Sequence, residues 1–235
     1  MRKVIIALLS MVLIFPFSGK LKIGEVLKYE ASFSNINAGE GSLKVFGIEK
    51  IRDSETYHVQ FKANTKGLTN KIFPIRDVID LWLDKKSLLP LRVKSSIREG
   101  RYRKEEDIYL FQKENYALKD DKKILIKENT HSPFSLFYFF RSIDLKNFVK
   151  KNINTLQGDK VKTLNVNIKK DVNIFVPAGN FKCIRVTPSQ IEGEKFKNDA
   201  KMDIYFSDDV KSYPVKIKIK LNFGSLILKL KEISN

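Results

Sequence analysis

From about residue 25 onward the chain alternates apolar and polar side chains with a period of two. That spacing turns one face of a β-strand to a core and the other to water. Leu27, Tyr29, Ala31 and Phe33 share one face of a first strand, and Leu43 and Val45 resume the pattern after an Asn37-Ala38-Gly39 turn. Tyr57, Val59, Phe61 and Ala63 form the next face. Ile79, Leu81 and Leu83 then alternate with Asp80, Trp82 and Asp84, and Leu91, Val93 and Ile97 follow the break at Pro90. Arg101 to Phe111 mixes charge with Tyr102, Ile108, Tyr109 and Leu110 and reads as an edge-like strand, and Ile124 to Ile126 as a short one. Leu164, Val166 and Ile168 alternate with polar residues, and Val172, Ile174 and Val176 lead into a Pro177-Ala178-Gly179-Asn180 turn. Met202, Ile204 and Phe206 oppose Asp203 and Tyr205. The clearest segment is Val215, Ile217, Ile219, Leu221 and Phe223 against Lys216, Lys218, Lys220 and Asn222, a strand with one buried and one wet face. At Gly224-Ser225 the phase flips to Leu226, Leu228 and Leu230, which requires a bulge or a turn.

One segment breaks the β pattern. Ser132-Pro133 reads as an N-cap followed by proline at the first helical position. Phe134 to Ile143 is then apolar nearly all round, which predicts a helix buried against the sheet. Asp144 to Asn154 extends it or forms a second short helix, and Leu68 to Ile75 holds a further helical turn. The predicted fold is mainly β: a curved antiparallel sheet or open barrel, lipocalin-like or like a lipoprotein carrier, with one or two short helices packed on it. Residues 20–235 read as a single antiparallel β domain, since the strands before and after the charged Lys146 to Lys162 stretch look alike.

The first nineteen residues stand apart. Arg2 and Lys3 precede an apolar run from Val4 to Phe17, interrupted by Ser10, which leads through Pro16 and Gly19 to Lys20. A basic start, a short apolar run and a small-residue exit describe a secretory signal over residues 1–19, and an exported, periplasmic or envelope protein. The run is short for a membrane span, which needs about 20 residues; retention as an anchor is the alternative to cleavage. No cysteine stands near Gly19 to accept a lipid.

The formal net charge is +17, nearly all from lysine. Such an excess suits an anionic surface such as phospholipid head groups. Because the lysines are spread along the chain, a solvated lysine-rich face is the favoured account of them, and export argues against nucleic acid as a partner. Cys183 is the only cysteine, so no intramolecular disulfide forms, and its strand-like surroundings predict a buried, inert thiol.

Catalytic signals are weak. There is no nucleophile elbow, no phosphate-binding loop and no Cys-x-x-Cys. His58 and His131 read as solvated histidines, without metal-ligand spacing. Asp80 and Asp84 share a strand face with Trp82 and are the one carboxylate pair that could support hydrolysis. No cofactor and no metal is expected. The aromatic helix is the stronger feature: with the sheet curled around it, Trp82, Phe134, Phe137, Tyr138 and Arg141 are the candidate ligand-binding residues, Arg141 pairing an anionic head group or capping the helix. The alternative is that the phenylalanines simply plug the core.

Several short motifs resemble, in their order, the bacterial domain-of-unknown-function family numbered 3108. They are Gly24-Glu25-x-Leu27-x-Tyr29, Ala38-Gly39-Glu40-Gly41, Asp80-Leu81-Trp82-Leu83-Asp84 with Leu89-Pro90, and the Pro133 to Arg141 helix with Leu136 and Tyr138. Val176-Pro177-Ala178-Gly179-Asn180-Phe181 and Tyr213-Pro214-Val215 with Gly224-Ser225-Leu226 complete the series. His131-Ser132 stands where the family often has Asp before the helix. The resemblance implies an envelope protein with an extended, curved antiparallel sheet, and no known activity. The expected function is therefore a non-enzymatic envelope protein that binds a lipid, a lipidated partner or another apolar ligand on its curved sheet. The alternative is a structural or interaction protein of the envelope.

Overall fold

A computed structural model describes residues 21–34, 36–149, 152–190, 201–221 and 224–234; the expected signal over residues 1–19 lies outside them. The first half holds β1 (Val26–Phe33), β2 (Ile36–Ile51), β3 (Ser54–Thr65), α1 (Gly67–Ile72), β4 (Arg76–Asp84), β5 (Pro90–Glu99), β6 (Tyr102–Phe111), β7 (Tyr116–Lys119) and β8 (Lys122–Leu125). The second half holds α2 (Ser135–Ser142), β9 (Asn152–Gln157), β10 (Lys160–Val176), β11 (Gly179–Gln190), β12 (Lys201–Ser207), β13 (Pro214–Leu221) and β14 (Gly224–Ser234).

All fourteen strands belong to one sheet, and every neighbouring pair is antiparallel. The order is two meanders, β8 back to β1 and β14 back to β9, joined where β1 pairs with β14. The alternation explains the sidedness: Leu27, Tyr29, Leu43, Val59, Ile79, Leu81, Leu83, Leu110, Val186, Ile204, Ile217 and Leu230 all fall in one buried cluster on the inner face.

The two outer strands of this sheet are drawn together. His131 donates its backbone N–H to Asn154 O at 2.8 Å and accepts from Leu156 N at 2.8 Å, a bridge to β9. Asp159, in the β9–β10 turn, takes Lys119 at 3.1 Å and Lys122 at 2.7 Å from β7 and β8. The exposed backbone of an edge strand invites pairing with other chains, and the His131 bridge occupies part of the β9 edge.

Several local expectations are corrected. Asn37-Ala38-Gly39 is inside β2, and the chain reverses at Ser34 instead. Gly39 permits a close strand approach there, because a Cβ would stand 2.0 Å from Asn64 O. The Arg101 to Phe111 segment is β6, which is paired on both sides and is no edge. Among the described residues Asp144 to Asn154 adds no helix: the chain turns after Asp144 and β9 begins at Asn152. At the phase flip Leu221 of β13 pairs with Gly224 of β14, the expected Asn222 and Phe223 lying outside the described residues, and Gly224 has φ +154 with Phe33 Cζ 2.6 Å from where a Cβ would be.

Helix α2 crosses the hollow of the sheet. Its start uses a reciprocal box in which Ser132 Oγ accepts from Ser135 N at 3.0 Å and Ser135 Oγ accepts from Ser132 N at 2.9 Å, with serine where glutamate is usual. It ends where Ile143 turns extended. Leu136, Phe137, Tyr138 and Phe140 are buried, and at about 1.5–3 kcal/mol each they contribute roughly 6–12 kcal/mol of transfer free energy. Phe140 packs on Phe206 of β12 at 6.0 Å and Phe134 on Phe61 of β3 at 5.1 Å between ring centres.

Candidate functional site

Three assemblies carry chemistry, and they lie in different places. The first is a polar node at the closed end of the hollow, beneath the C-terminal turn of α2. Arg141 meets Glu25 through two contacts, Nη1 to Oε1 at 2.7 Å and Nη2 to Oε2 at 3.0 Å. Their side chains are 0 % and 2 % exposed. The guanidinium also lies 5.3 Å from the Tyr213 ring centre, and Tyr29 donates its hydroxyl to Pro214 O at 2.8 Å. The Tyr138 hydroxyl is buried with no hydrogen-bond partner among the described residues, and burial pushes its pKa up. Arg141 is thus neither open to a head group nor spent on helix carbonyls alone: its positive charge is matched by Glu25.

The second assembly is a cleft of about 300 Å³ on the inner face, beside the start of α2. Its apolar wall is Ile79, Val93, Ile108, Leu110, Phe134 and Leu156. Ser95 and Glu106 stand toward its mouth. Burial pushes the Glu106 carboxyl up, but hydrogen bonds from Lys104 and Lys119 outweigh it and hold its pKa below the usual range. Lys119 is raised in turn, chiefly by its bond to Glu106. A lysine-carboxylate pair therefore sits at the edge of an apolar trough.

The third assembly is outside. Trp82 alternates with Leu81 and Leu83, so its ring leaves the core and lies on the outer face. Register places His58 opposite it on β3 and Arg92 opposite it on β5. His58 stacks on Trp82 at 4.7 Å and 9°, and Phe46, at the β2 bulge, stacks on His58 at 4.8 Å. Arg92 covers the other side of Trp82 at 4.5 Å and reaches Tyr109 at 4.9 Å. Glu49 accepts from Trp82 Nε1 at 2.7 Å, and this bond above all lowers its pKa. Flat rings and a guanidinium thus cover one another across five strands.

The candidate residues divide accordingly. Phe134, Phe137, Tyr138 and Arg141 share the hollow, but only Phe134 lines the cleft. Trp82 is separated from them by the thickness of the sheet, a correction that follows from strand alternation. The histidines are not solvated: His131 is buried and its Nδ1 lies 3.3 Å from Ser135 Oγ, and His58 holds Glu49 and Asp80 on opposite ring nitrogens at 2.8 Å. Asp80 also accepts from Gln60, while Asp84 accepts the N–H groups of Lys86 and Ser87 and caps a turn, so the two carboxylates serve separate contacts. Cys183 is buried as expected, and burial pushes its thiol up to about 12. The cleft wall was missed because alternation marks which side chains point inward, and says nothing of where the plug stops covering them. Among the described residues no helix is long and apolar enough to cross a membrane.

One solved structure shares the fold. A β-barrel-like protein of the DUF1849 domain of unknown function from Brucella abortus superposes with TM-score 0.61, at 10 % identity, over 90 % of this chain and 97 % of its own. A protein named as a lipoprotein candidate from Parabacteroides distasonis ATCC 8503 gives TM-score 0.43 at 11 % identity, over 91 % of this chain and 96 % of its own. No curated protein matches the chain in sequence. A family profile described as "Protein of unknown function (DUF3108)" matches residues 28–231. That span takes in every strand from β2 to β13 and the helix that plugs the hollow, so the chain belongs to the DUF3108 family.

Proposed function

We propose that this protein is a non-enzymatic protein of the cell envelope that holds an apolar or amphipathic ligand, a lipid or a lipidated partner, in the inner cleft beside Phe134. The observation that carries the reading is the cleft itself: inward-facing Val93 and Ile108 line it beside the start of α2, over buried Ile79 and Leu110. Binding sites of this kind are concave and mostly apolar, with a few polar groups to orient the ligand. The volume of about 300 Å³ is at the small end of such sites, and suits an acyl segment better than a whole lipid. Lys119 and Lys104, already engaged by Glu106, would face the ligand's polar end at the mouth. The basic start and apolar run of residues 2–17 support export.

The test is direct. Purified protein is extracted for lipid and titrated with a fluorescent fatty acid, beside Ser95→Phe and Val93→Trp variants that fill the cleft. Bound lipid and weakened probe binding in both variants support the reading. Protein that carries no lipid and binds no probe, or variants that bind as well as the parent, would refute it. Because Trp82 lies on the outer face, its emission should stay unchanged as the cleft fills.

A further inference from the structure

The end of the sheet at which the cleft opens carries a second feature. Lys66 to Arg76, the connection between β3 and β4, projects α1 outward with Leu68 72 % and Ile72 75 % exposed, and Phe73 half-exposed. Short helices normally bury their apolar residues, and α1 buries none. Ile36 is exposed beside it, where Lys66 N donates to Ala38 O and Thr69 Oγ1 approaches Asn37 O. On its other flank Phe73 lies against Gly100 of the β5–β6 turn, tied by Gly100 N to Pro74 O at 2.8 Å, and Tyr102 is exposed just beyond. Ile36, Leu68, Ile72, Phe73 and Tyr102 therefore form one apolar crest along the rim.

The charge around this crest is one-sided. Lys66 to Arg76 holds three cations and no acid, and Arg98 to Lys104 holds four cations and one acid, Glu99. The acids in the adjoining groove of about 680 Å³, Glu30, Glu40 and Glu232, are each matched by Lys231, Lys66 and Lys28. Lys71, Arg76, Arg101 and Arg103 make no ion pair with a carboxylate among the described residues. Leucine, isoleucine and aromatic side chains on a protruding element, ringed by lysine and arginine, match a membrane interface. There the apolar groups sink to the acyl boundary and the cations meet anionic head groups.

We propose that this rim, with α1 as its leading edge, docks on anionic lipid bilayers. The assignment is independent of what occupies the inner cleft. It goes beyond that reading by identifying which end of the protein meets a membrane.

The experiment uses the full chain, with its N-terminal run unchanged throughout. Cys183 is buried, so a cysteine introduced by Ile72→Cys takes an environment-sensitive NBD label selectively. A second labelled protein carries Phe175→Cys, an exposed position at the opposite end of the strands. The probes are vesicles of phosphatidylcholine alone, and the same lipid with about 30 % phosphatidylglycerol. The label at 72 should shift to the blue with the anionic vesicles only, and the shift should reverse in about 0.5 M salt, where screening shortens the reach of charge to roughly 4 Å. Lys71→Ala with Arg101→Ala should weaken partitioning about twenty-five-fold, about fivefold for each cation, and Leu68→Asp should abolish the shift. No shift at position 72 would overturn the proposal. So would an equal shift at position 175, or a shift indifferent to the rim variants, since either would place the contact elsewhere.

Discussion

Arg141→Met is the most informative single change to this fold. In the native protein the guanidinium and the Glu25 carboxylate form a two-contact pair at 2.7 and 3.0 Å, both side chains essentially without solvent. Methionine fits a similar space but leaves Glu25 as a buried carboxylate with no cation. Breaking a buried pair from one side costs about 3–5 kcal/mol, whereas replacing both partners with apolar groups is often neutral or stabilising. The variant should therefore lose about 4 kcal/mol, a large part of the roughly 5–15 kcal/mol that holds a typical domain. With a urea m-value of about 2–3 kcal/mol/M, its midpoint falls by about 1.3–2 M. Glu25→Leu combined with Arg141→Met should recover most of that loss. The assay is equilibrium urea unfolding of the parent, both single variants and the double variant, followed by far-ultraviolet circular dichroism. A loss under about 1 kcal/mol for Arg141→Met would mean that Glu25 finds another partner or solvent. A double variant as unstable as the single would mean that the arginine acts through its packing on Tyr213, with the ion pair incidental.

Phe140→Ala should destabilise by about 3–5 kcal/mol in the same unfolding assay, because its side chain is fully buried between Phe148 and Phe206. Cys183 should react with a disulfide reagent at pH 8 more than about a thousandfold slower than a free thiol, and unfolding in urea should abolish the difference, since a thiol pushed up to about 12 is almost wholly protonated. Burial, and then the charge of Asp77, raise the Glu99 pKa. A carboxyl raised in the folded state adds stability below its unfolded value near 4.3 and loses it as pH rises through the folded value. Glu99→Gln should therefore stabilise the protein relative to the parent at pH 7, with the gain vanishing below about pH 4 in thermal unfolding across pH. Asp159→Asn removes the carboxylate that joins Lys119 and Lys122 across the closure, and should speed amide exchange in β9 without changing that in β1.

The motifs that resemble one family look unrelated along the chain, and the fold shows why several belong together. Gly24-Glu25, Tyr29, Arg141 and Tyr213-Pro214 all meet at the polar node under α2. Trp82 carried the same sequence signal as Arg141 but belongs to a different assembly on the opposite face.

By itself the sequence determined most of the strands, their inward residues and the one aromatic helix, because period-two alternation and a serine-proline helix start are local and need no partner to be read; the short β7 and β9 were not legible in it. It could not show that Glu25 would neutralise an arginine 116 residues away, since such pairing depends on how β1 and α2 meet in space. Nor could it place Trp82 outside or show where α2 leaves the inner face uncovered. Those outcomes rest on register and curvature, which put His58, Trp82 and Arg92 side by side on one face and leave Val93 and Ile108 facing a cleft on the other. Only the tertiary structure could decide them, because sequence spacing gives a residue's phase in its own strand and leaves its neighbours across the sheet unspecified.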